Sequence, residues 1–239
     1  MREGSVLQTV TCAAMCLLCG GCESNDRSRG PAQPAAGAAA AVSDEHANRP
    51  RVLVLGDSLT AGLGLDPSQA YPAILQQRID AAGLGYEVVN AGVSGDTSAG
   101  GLSRLDWSLA EDVRVVIVAL GANDGLRGLP VEELRRNLDA IITRAQAKKA
   151  AVILAGMEAP PNFGRAYTDA FHEVYPALAK SHGIAFVPFL LQGVAGIEKL
   201  NQPDGIHPTA EGARIAADNV WQVLEPVLKT PGPKGRASN

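Results

Sequence analysis

The residues best suited to chemistry in this 239-residue chain lie in two short segments far apart in the sequence. Near the C-terminal end, Asp204-Gly205-Ile206-His207-Pro208 places a carboxylate three residues before an imidazole. Towards the N-terminal end, Gly56-Asp57-Ser58-Leu59 places a serine directly after the apolar run Val52–Leu55. Serine, histidine and aspartate can act together as a nucleophile, its general base and the group that orients the base. The two segments therefore predict a serine nucleophile assisted by a histidine and an aspartate.

Two further turns follow apolar runs in the same way, one at Asn90–Thr97 and one at Gly121–Gly125. The serine segment is not the G-x-S-x-G elbow of α/β-hydrolases, because Thr60 stands where the second glycine would be. Each segment also has a simpler interpretation: a serine after a strand can cap the next helix, and Asn-Asp-Gly is a common turn sequence. The four segments are more informative together than any of them is alone.

In this order, the four segments resemble the GDSL (SGNH) hydrolases, and most closely their bacterial thioesterase I, lysophospholipase and arylesterase branch. The likeness runs from about Arg51 to about Leu228. Gly-Asp-Ser-Leu alone would occur often by chance, whereas four separate blocks in the right order are a specific signal. The resemblance implies that Ser58 is the nucleophile, that His207 is the general base and that Asp204 orients the base.

The resemblance also implies an oxyanion hole formed by Ser58, the backbone N–H of Gly95 and the side-chain amide of Asn123. This assignment agrees with the chemistry of acyl transfer, in which attack on a carbonyl creates a tetrahedral oxyanion. Preorganised donors about 2.7–3.1 Å from that oxygen each contribute roughly 3–4 kcal/mol to its stabilisation. A glycine lets the backbone approach closely, and an amide donates a proton without bringing a charge that must be desolvated.

The substrate site is implied by the same resemblance. Leu126 and Arg127 correspond to a mobile loop along the acyl site, and Ala159 and Pro160 to another wall, where Ala159 is smaller than the leucine we expect there. The implied function is hydrolysis of acyl esters and thioesters, such as lysophospholipids, acyl-CoA-like thioesters and aryl esters, without a metal or organic cofactor. Two alternatives remain: a carbohydrate O-acetyl esterase that uses the same residues, and a tethered binding module without activity.

Hydrophobic patterning predicts an α/β fold. Strand-length apolar runs alternate with amphipathic stretches of helix length, which favours a parallel sheet covered by helices on both faces. The candidate segments then follow strand ends or precede the last helix, at the edge where open α/β sheets bind ligands. The resemblance implies a flavodoxin-like five-stranded order, 2-1-3-4-5, in a single three-layer α/β/α domain. The predicted strands are Val52–Leu55, Tyr86–Asn90, Val113–Leu120, Ala151–Ala155 and Ile184–Pro188, and the predicted helices include Ala70–Ala82, Val131–Ala147, Tyr167–Ser181 and Thr209–Leu228.

The N-terminal part of the chain has a different composition from the rest. All the cysteines lie within residues 1–22, where Arg2 precedes the apolar stretch Val6–Leu18 as in a secretory signal peptide. Cys19-Gly20-Gly21-Cys22 resembles a bacterial lipoprotein processing site, so we expect lipidation of Cys22 and a periplasmic, membrane-anchored protein. Simple secretion and a retained apolar N-terminus are the alternatives.

The remaining boundaries follow from composition. Residues 23–50 are rich in Ala, Gly, Pro, Ser and Asn and predict a disordered tether, residues 51–229 form the hydrolase domain, and residues 230–239 form a disordered tail. A net charge of −4 and a pI near 5.6 give no electrostatic footprint for nucleic acid. We expect a monomer whose partners are a small acyl ester or thioester and, through the lipid, a membrane. His46, His172 and His182 are assigned no chemistry.

Overall fold

The computed structural model describes residues 49–110 and 112–230. The predicted signal segment with Cys22, the tether up to residue 48 and the tail from residue 231 lie outside the described residues. No helix of the described part is both long enough and apolar enough to cross a membrane.

Five strands form one parallel sheet in the order β2-β1-β3-β4-β5, which confirms the predicted topology. The three inner strands are almost wholly buried because both of their faces are covered, and their runs of Val, Leu and Ile fit that environment. The edge strand β2 is only half-buried. The strands are β1 (Arg51–Gly56), β2 (Glu87–Gly92), β3 (Val113–Ala119), β4 (Ala151–Ala155) and β5 (Ala185–Val187).

Seven α-helices of the described residues connect and cover these strands. They are α1 (Ser58–Ala61), α2 (Tyr71–Ala81), α3 (Ser98–Ser108), α4 (Ala122–Leu126), α5 (Val131–Ala147), α6 (Arg165–His182) and α7 (Ala210–Lys229). Helices α2 and α7 contact each other, and α5 contacts both α3 and α6. These two groups of helices enclose the sheet and give the predicted α/β/α arrangement.

The predicted elements agree with the observed ones within a few residues at each end. Strand β4 and helix α5 have the predicted bounds. Helix α1 begins two residues after the end of β1, and helix α4 begins three residues after the end of β3. Because all strands are parallel, these two turns and the loop after β2 meet at one edge of the sheet.

Candidate active site

Ser58 is the first residue of α1, directly after the buried strand β1. The preceding residue, Asp57, is the N-cap of this helix, and its side chain accepts a hydrogen bond of 3.0 Å from the Leu59 N–H. Thr60, which replaces the second glycine of an elbow, is buried and lies 2.8 Å (Oγ1) from the hydroxyl of Tyr71. The serine therefore sits in a rigid strand-to-helix turn.

His207 brings the C-terminal segment to this turn. Its Nε2 lies 2.8 Å from the Ser58 Oγ, and its Nδ1 lies 2.7 Å from Oδ2 of Asp204. The imidazole is largely buried, whereas the Asp204 side chain is 46 % exposed. A neutral imidazole with its proton on Nδ1 can donate to the carboxylate and accept from the serine hydroxyl. The structure thus joins the three predicted residues into one continuous hydrogen-bonded chain.

Asp204 is held by the backbone of its own turn. Its Oδ1 accepts hydrogen bonds of 3.0 Å from the N–H of His207 and the N–H of Ile206. The first of these bonds, the contact with the imidazole and the second bond together lower the pKa of Asp204 to about 2. The carboxylate is therefore ionised across the neutral pH range and fixed in direction towards the imidazole.

Gly95 lies in the exposed loop after β2 and has a φ of +86°, which a residue with a side chain rarely adopts. Its N–H donates no hydrogen bond to any of the described residues. Its carbonyl, in contrast, accepts a hydrogen bond of 2.9 Å from the Arg127 guanidinium. A second guanidinium, that of Arg104, joins Asp96 (2.7 Å) to the Gly56 carbonyl (2.9 Å). Two guanidinium groups therefore hold the loop that carries this free N–H.

Asn123 lies in the first turn of α4, and its side-chain nitrogen has two partners. It donates to Oδ2 of Asp57 at 3.2 Å and to the backbone carbonyl of Asp96 at 3.0 Å. Asp57 is fully buried, and burial raises its pKa to about 6 even though Leu59 and Asn123 donate to it. The amide therefore connects the serine turn with the loop that carries Gly95.

The neighbouring Asp124 has a structural position. Its two oxygens accept hydrogen bonds from the backbone N–H (2.8 Å) and the hydroxyl (2.6 Å) of Ser98 at the start of α3. Asn137 of α5 donates to the same hydroxyl at 2.9 Å. Burial raises the pKa of Asp124. This network fixes α4 against α3, as expected of a residue that serves the fold.

A cavity of about 340 Å³ opens beside Ser58, His207 and Asn123. This volume lies within the range of small-molecule sites, and most of the lining is apolar. Three of the predicted wall residues, Leu126, Ala159 and Pro160, line it, whereas Arg127 does not. Further apolar wall residues that the sequence did not single out are Leu59, Ala122, Met157, Phe189, Leu191, Ala195 and Ile206.

Sequence reasoning assigned no chemistry to several residues that contact the site. Asp57 forms an Asx turn with the Leu59 N–H and also accepts a hydrogen bond from Asn123, a contact that the sequence did not predict. Glu158 also lines the cavity, and one of its oxygens lies 2.7 Å from Nδ1 of His172. Such contacts join residues from different loops, so no local pattern signals them. The described residues contain no group of His, Cys, Asp or Glu suited to a metal ion.

Comparison with known proteins places these features in a family. Residues 54–215 match the model of the GDSL-like lipase/acylhydrolase family. Esterase TesA of Pseudomonas aeruginosa is 48 % identical over 178 residues, which cover 74 % of this chain and 89 % of that protein. An arylesterase of Vibrio mimicus is 36 % identical over 175 residues, or 73 % of this chain and 88 % of that protein.

Solved structures agree with this result. The crystal structure of TesA superposes with a TM-score of 0.71 at 47 % identity, covering 74 % of this chain and 99 % of that chain. The psychrotrophic esterase EstA of a Pseudoalteromonas species also gives 0.71, at 32 % identity, over 76 % of this chain and 100 % of that chain. The chain is therefore a member of the GDSL-like lipase/acylhydrolase family.

Proposed function

We propose that this hydrolase cleaves acyl esters and thioesters, with Ser58 as nucleophile, His207 as general base and Asp204 as the residue that orients the base. The observation that carries the proposal is the chain of two hydrogen bonds, 2.8 Å and 2.7 Å long, that ends at a serine on the wall of an apolar cavity. A hydroxyl in this position can lose its proton to the imidazole while its oxygen attacks a bound carbonyl.

The reaction then has two balanced halves. In the first, Ser58 Oγ bonds to the carbonyl carbon, its proton passes to Nε2 of His207, and the imidazolium returns that proton to the departing alcohol or thiol. In the second, water loses a proton to the same nitrogen, attacks the acyl-serine and releases the acid, and the proton returns to Oγ. Asp204 stays ionised throughout and stabilises the imidazolium.

The tetrahedral oxyanion that forms in each half of the reaction needs hydrogen-bond donors on the side of Ser58 away from His207. The free N–H of Gly95 and the amide of Asn123 are suitable because both belong to the turns that meet Ser58 at this edge of the sheet. The N–H of Ser58 itself, at the start of α1, is the third. Since the whole set comes from one chain, we take the enzyme to act as a monomer.

The cavity supports an acyl-chain substrate over an acetyl group on a sugar. Its lining is predominantly aliphatic, with Phe189 contributing a phenyl ring, and such a surface favours burial of methylene groups, whereas a sugar would need more hydrogen-bonding side chains. Thioesters, lysophospholipids and aryl esters of fatty acids all carry an acyl chain made of methylene groups. A series of p-nitrophenyl esters and acyl thioesters tests this: kcat/KM should rise from acetyl to decanoyl, and a maximum at acetyl would favour the O-acetyl esterase instead.

The nucleophile is tested directly. Ser58→Ala removes the attacking oxygen and should lower kcat by roughly 10⁴- to 10⁶-fold with an unchanged melting temperature. A fluorophosphonate probe should label the wild type at Ser58 and should not label this variant. Exposed Ser103, on α3, offers a matched control, because Ser103→Ala should keep both activity and labelling. Retained turnover in Ser58→Ala, or labelling at another serine, would exclude this mechanism, and an inert wild type would favour the binding-module alternative.

We further propose that the protein is exported to the periplasm and anchored through lipid on Cys22. The support is the sequence Cys19-Gly20-Gly21-Cys22 after a short apolar stretch. Two or more acyl chains anchor a protein stably, so the wild type should stay with membranes in high salt. Metabolic labelling with an alkynyl fatty acid should be lost in Cys22→Ser. Soluble, unlabelled wild-type protein would contradict the anchor and leave the enzymatic proposal unaffected.

A further inference from the structure

Asp57 is a buried carboxylate beside the nucleophile, and the triad makes no use of it. Its side chain is fully buried, and both of its hydrogen-bond donors, the Leu59 N–H and the Asn123 amide, are uncharged. An ionised group in such a place is unfavourable for folding, because neutral donors replace its hydration only in part. The pKa of about 6 has the same cause. A group that opposes folding yet stands next to Ser58 calls for a role in the reaction.

The position of Asn123 supplies that role. A side-chain amide has two N–H groups, and here one donates to Asp57 and the other to the Asp96 carbonyl. Asn123 can serve an oxyanion only if one of these bonds is released. If both were released at once, nothing among its hydrogen bonds would fix the direction of the amide. The two hydrogen bonds therefore have to differ in how readily they break.

Two features make the Asp96 carbonyl the partner that is released. A hydrogen bond to a carboxylate is stronger than one to a neutral carbonyl, although here the carboxylate contact is the longer, at 3.2 Å against 3.0 Å. Asp57 also belongs to a buried turn at the end of β1, whereas residues 93–95, just before Asp96, are exposed. The loop itself is held by Arg127 and Arg104, so the exchange needs only a small turn of the Asn123 amide about its contact with Asp57.

We propose that Asp57 is a positioning residue, which holds one N–H of Asn123 so that the other points at the oxyanion. In the free enzyme this second N–H donates to the Asp96 carbonyl, and in the transition state it donates to the oxyanion instead. Asp57 itself does not touch the substrate and acts only through Asn123. The inference rests on the proposed function, because it requires that Asn123 serve an oxyanion formed at Ser58.

Asp57→Asn is the decisive variant, because it keeps the size of the side chain and one oxygen for the Leu59 N–H. It replaces the oxygen that faces Asn123 with an NH₂ group, so two donors oppose each other. We expect kcat to fall by about 10- to 100-fold with KM nearly unchanged, which is less than the 10²- to 10³-fold loss for a whole oxyanion donor. The melting temperature should stay the same or rise, since the buried charge is gone. A merely structural aspartate would show the reverse, a lower melting temperature and normal kcat.

A double-mutant cycle tests whether Asp57 acts through Asn123. Asn123→Ala alone should lower kcat by about 10²- to 10³-fold. Adding Asp57→Asn to that variant should change kcat by no more than about 3-fold, because the group that Asp57 positions is already absent. Independent, multiplicative losses would overturn the inference.

Tyr71→Phe is the matched control for disturbance of the serine turn. It removes a buried hydroxyl that contacts Thr60 of α1, without touching Asn123. We expect a lower melting temperature and a kcat within about 2-fold of the wild type. The two proposals fail separately. If Ser58→Ala is inactive while Asp57→Asn is fully active, only the positioning role is wrong; if Ser58→Ala is active, the proposed function itself is wrong.

Discussion

The two sides of Ser58, which are the base side and the oxyanion side of the proposed mechanism, are built in opposite ways. On the base side, Asp204 and His207 are three residues apart in one turn, and the carboxylate is half-exposed with a pKa of about 2. On the oxyanion side, Asp57 and Asn123 are 66 residues apart, and the carboxylate is fully buried with a pKa of about 6. The same type of side chain is thus stabilised as an anion on one side and destabilised on the other.

This difference follows from hydration and local donors. Asp204 keeps contact with water and receives two backbone N–H groups, so its ionised form is favoured wherever the triad needs it. Asp57 has lost its contact with water and receives only one backbone N–H and one side-chain amide, which do not fully replace the hydration of a carboxylate. The ionised Asp204 therefore does not destabilise the fold, whereas the ionised Asp57 lowers the free energy of unfolding at neutral pH.

The largest effect is expected on the base side. Asp204→Asn offers an NH₂ group to the imidazole, which favours the tautomer with its proton on Nε2 and leaves no acceptor for the Ser58 hydroxyl. We expect kcat to fall by roughly 10⁴-fold, with little change in KM. The side chain is half-exposed and asparagine keeps one oxygen for the two backbone N–H groups, so the melting temperature at neutral pH should fall only slightly.

Another Asp–His pair provides the control for that variant. Asp139 of α5 lies 2.7 Å from Nε2 of His182 at the end of α6, and neither residue lines the cavity beside Ser58. Asp139→Asn should leave kcat unchanged. Full activity of Asp204→Asn would show that another carboxylate orients His207, and the comparison of Asp204 with Asp57 would then not describe the base side of the mechanism.

The base side could be predicted from sequence because its parts are local. Asp204 and His207 fall in one five-residue segment, and the strand-to-helix turn at Ser58 follows an unmistakable apolar run. The parallel sheet also follows from patterning, since the inner strands are apolar throughout. Only the pairing of these distant segments required the family resemblance, because spacing alone does not determine which loops meet.

The oxyanion side shows where sequence reasoning stops. Gly95 and Asn123 were found through the resemblance, but the partners that hold them were not. Asp57 reaches Asn123 only because β1 and β3 are adjacent in the sheet, and Arg127 reaches Gly95 because the loops after β2 and β3 meet. A side chain's partner across two loops depends on the exact loop paths, which patterns of hydrophobicity do not specify.

The second prediction tests the contrast in stability. The pKa of Asp57 is raised on folding from 3.8 to about 6, so the folded state binds the proton more tightly than the unfolded state. Its stabilising contribution is complete below pH 3.8 and is lost as the pH rises through about 6, a change of about 3 kcal/mol. The free energy of unfolding of Asp57→Asn, minus that of the wild type, should therefore rise by about 2–3 kcal/mol from pH 4 to pH 7. Urea denaturation at the two pH values measures this difference.

Asp204 should behave in the opposite sense in the same experiment. Its pKa is lowered on folding from 3.8 to about 2, so its contribution is present above pH 3.8 and is lost as the pH falls towards 2. Between pH 4 and pH 7, the difference between Asp204→Asn and the wild type should stay nearly constant. Equal pH dependence in the two variants would mean that the two carboxylates do not differ in the way the structure indicates.

The smallest effect is expected at Arg127, on the exposed rim of the oxyanion side. The family resemblance makes it a substrate-binding residue, whereas its contact here is a 2.9 Å hydrogen bond to the Gly95 carbonyl, and it does not line the cavity. Loss of one such bond is worth about 0.5–1.5 kcal/mol, or about 2- to 10-fold in rate. If Arg127 steadies the Gly95 loop, Arg127→Ala should lower kcat by that factor for every acyl ester and leave KM unchanged.

A substrate-binding Arg127 would give a different kinetic pattern, because a cation at the rim would attract an anionic leaving group. KM would then rise for acyl-CoA or lysophospholipid while uncharged p-nitrophenyl esters kept normal kinetics. Exposed Arg165, at the start of α6, supplies a control cation, since Arg165→Ala should alter neither constant for the uncharged esters. Kinetics of both variants on one charged and one uncharged substrate distinguish the two roles. A kcat loss on both substrates would assign Arg127 to the oxyanion loop, and a KM change confined to the charged substrate would assign it to substrate binding.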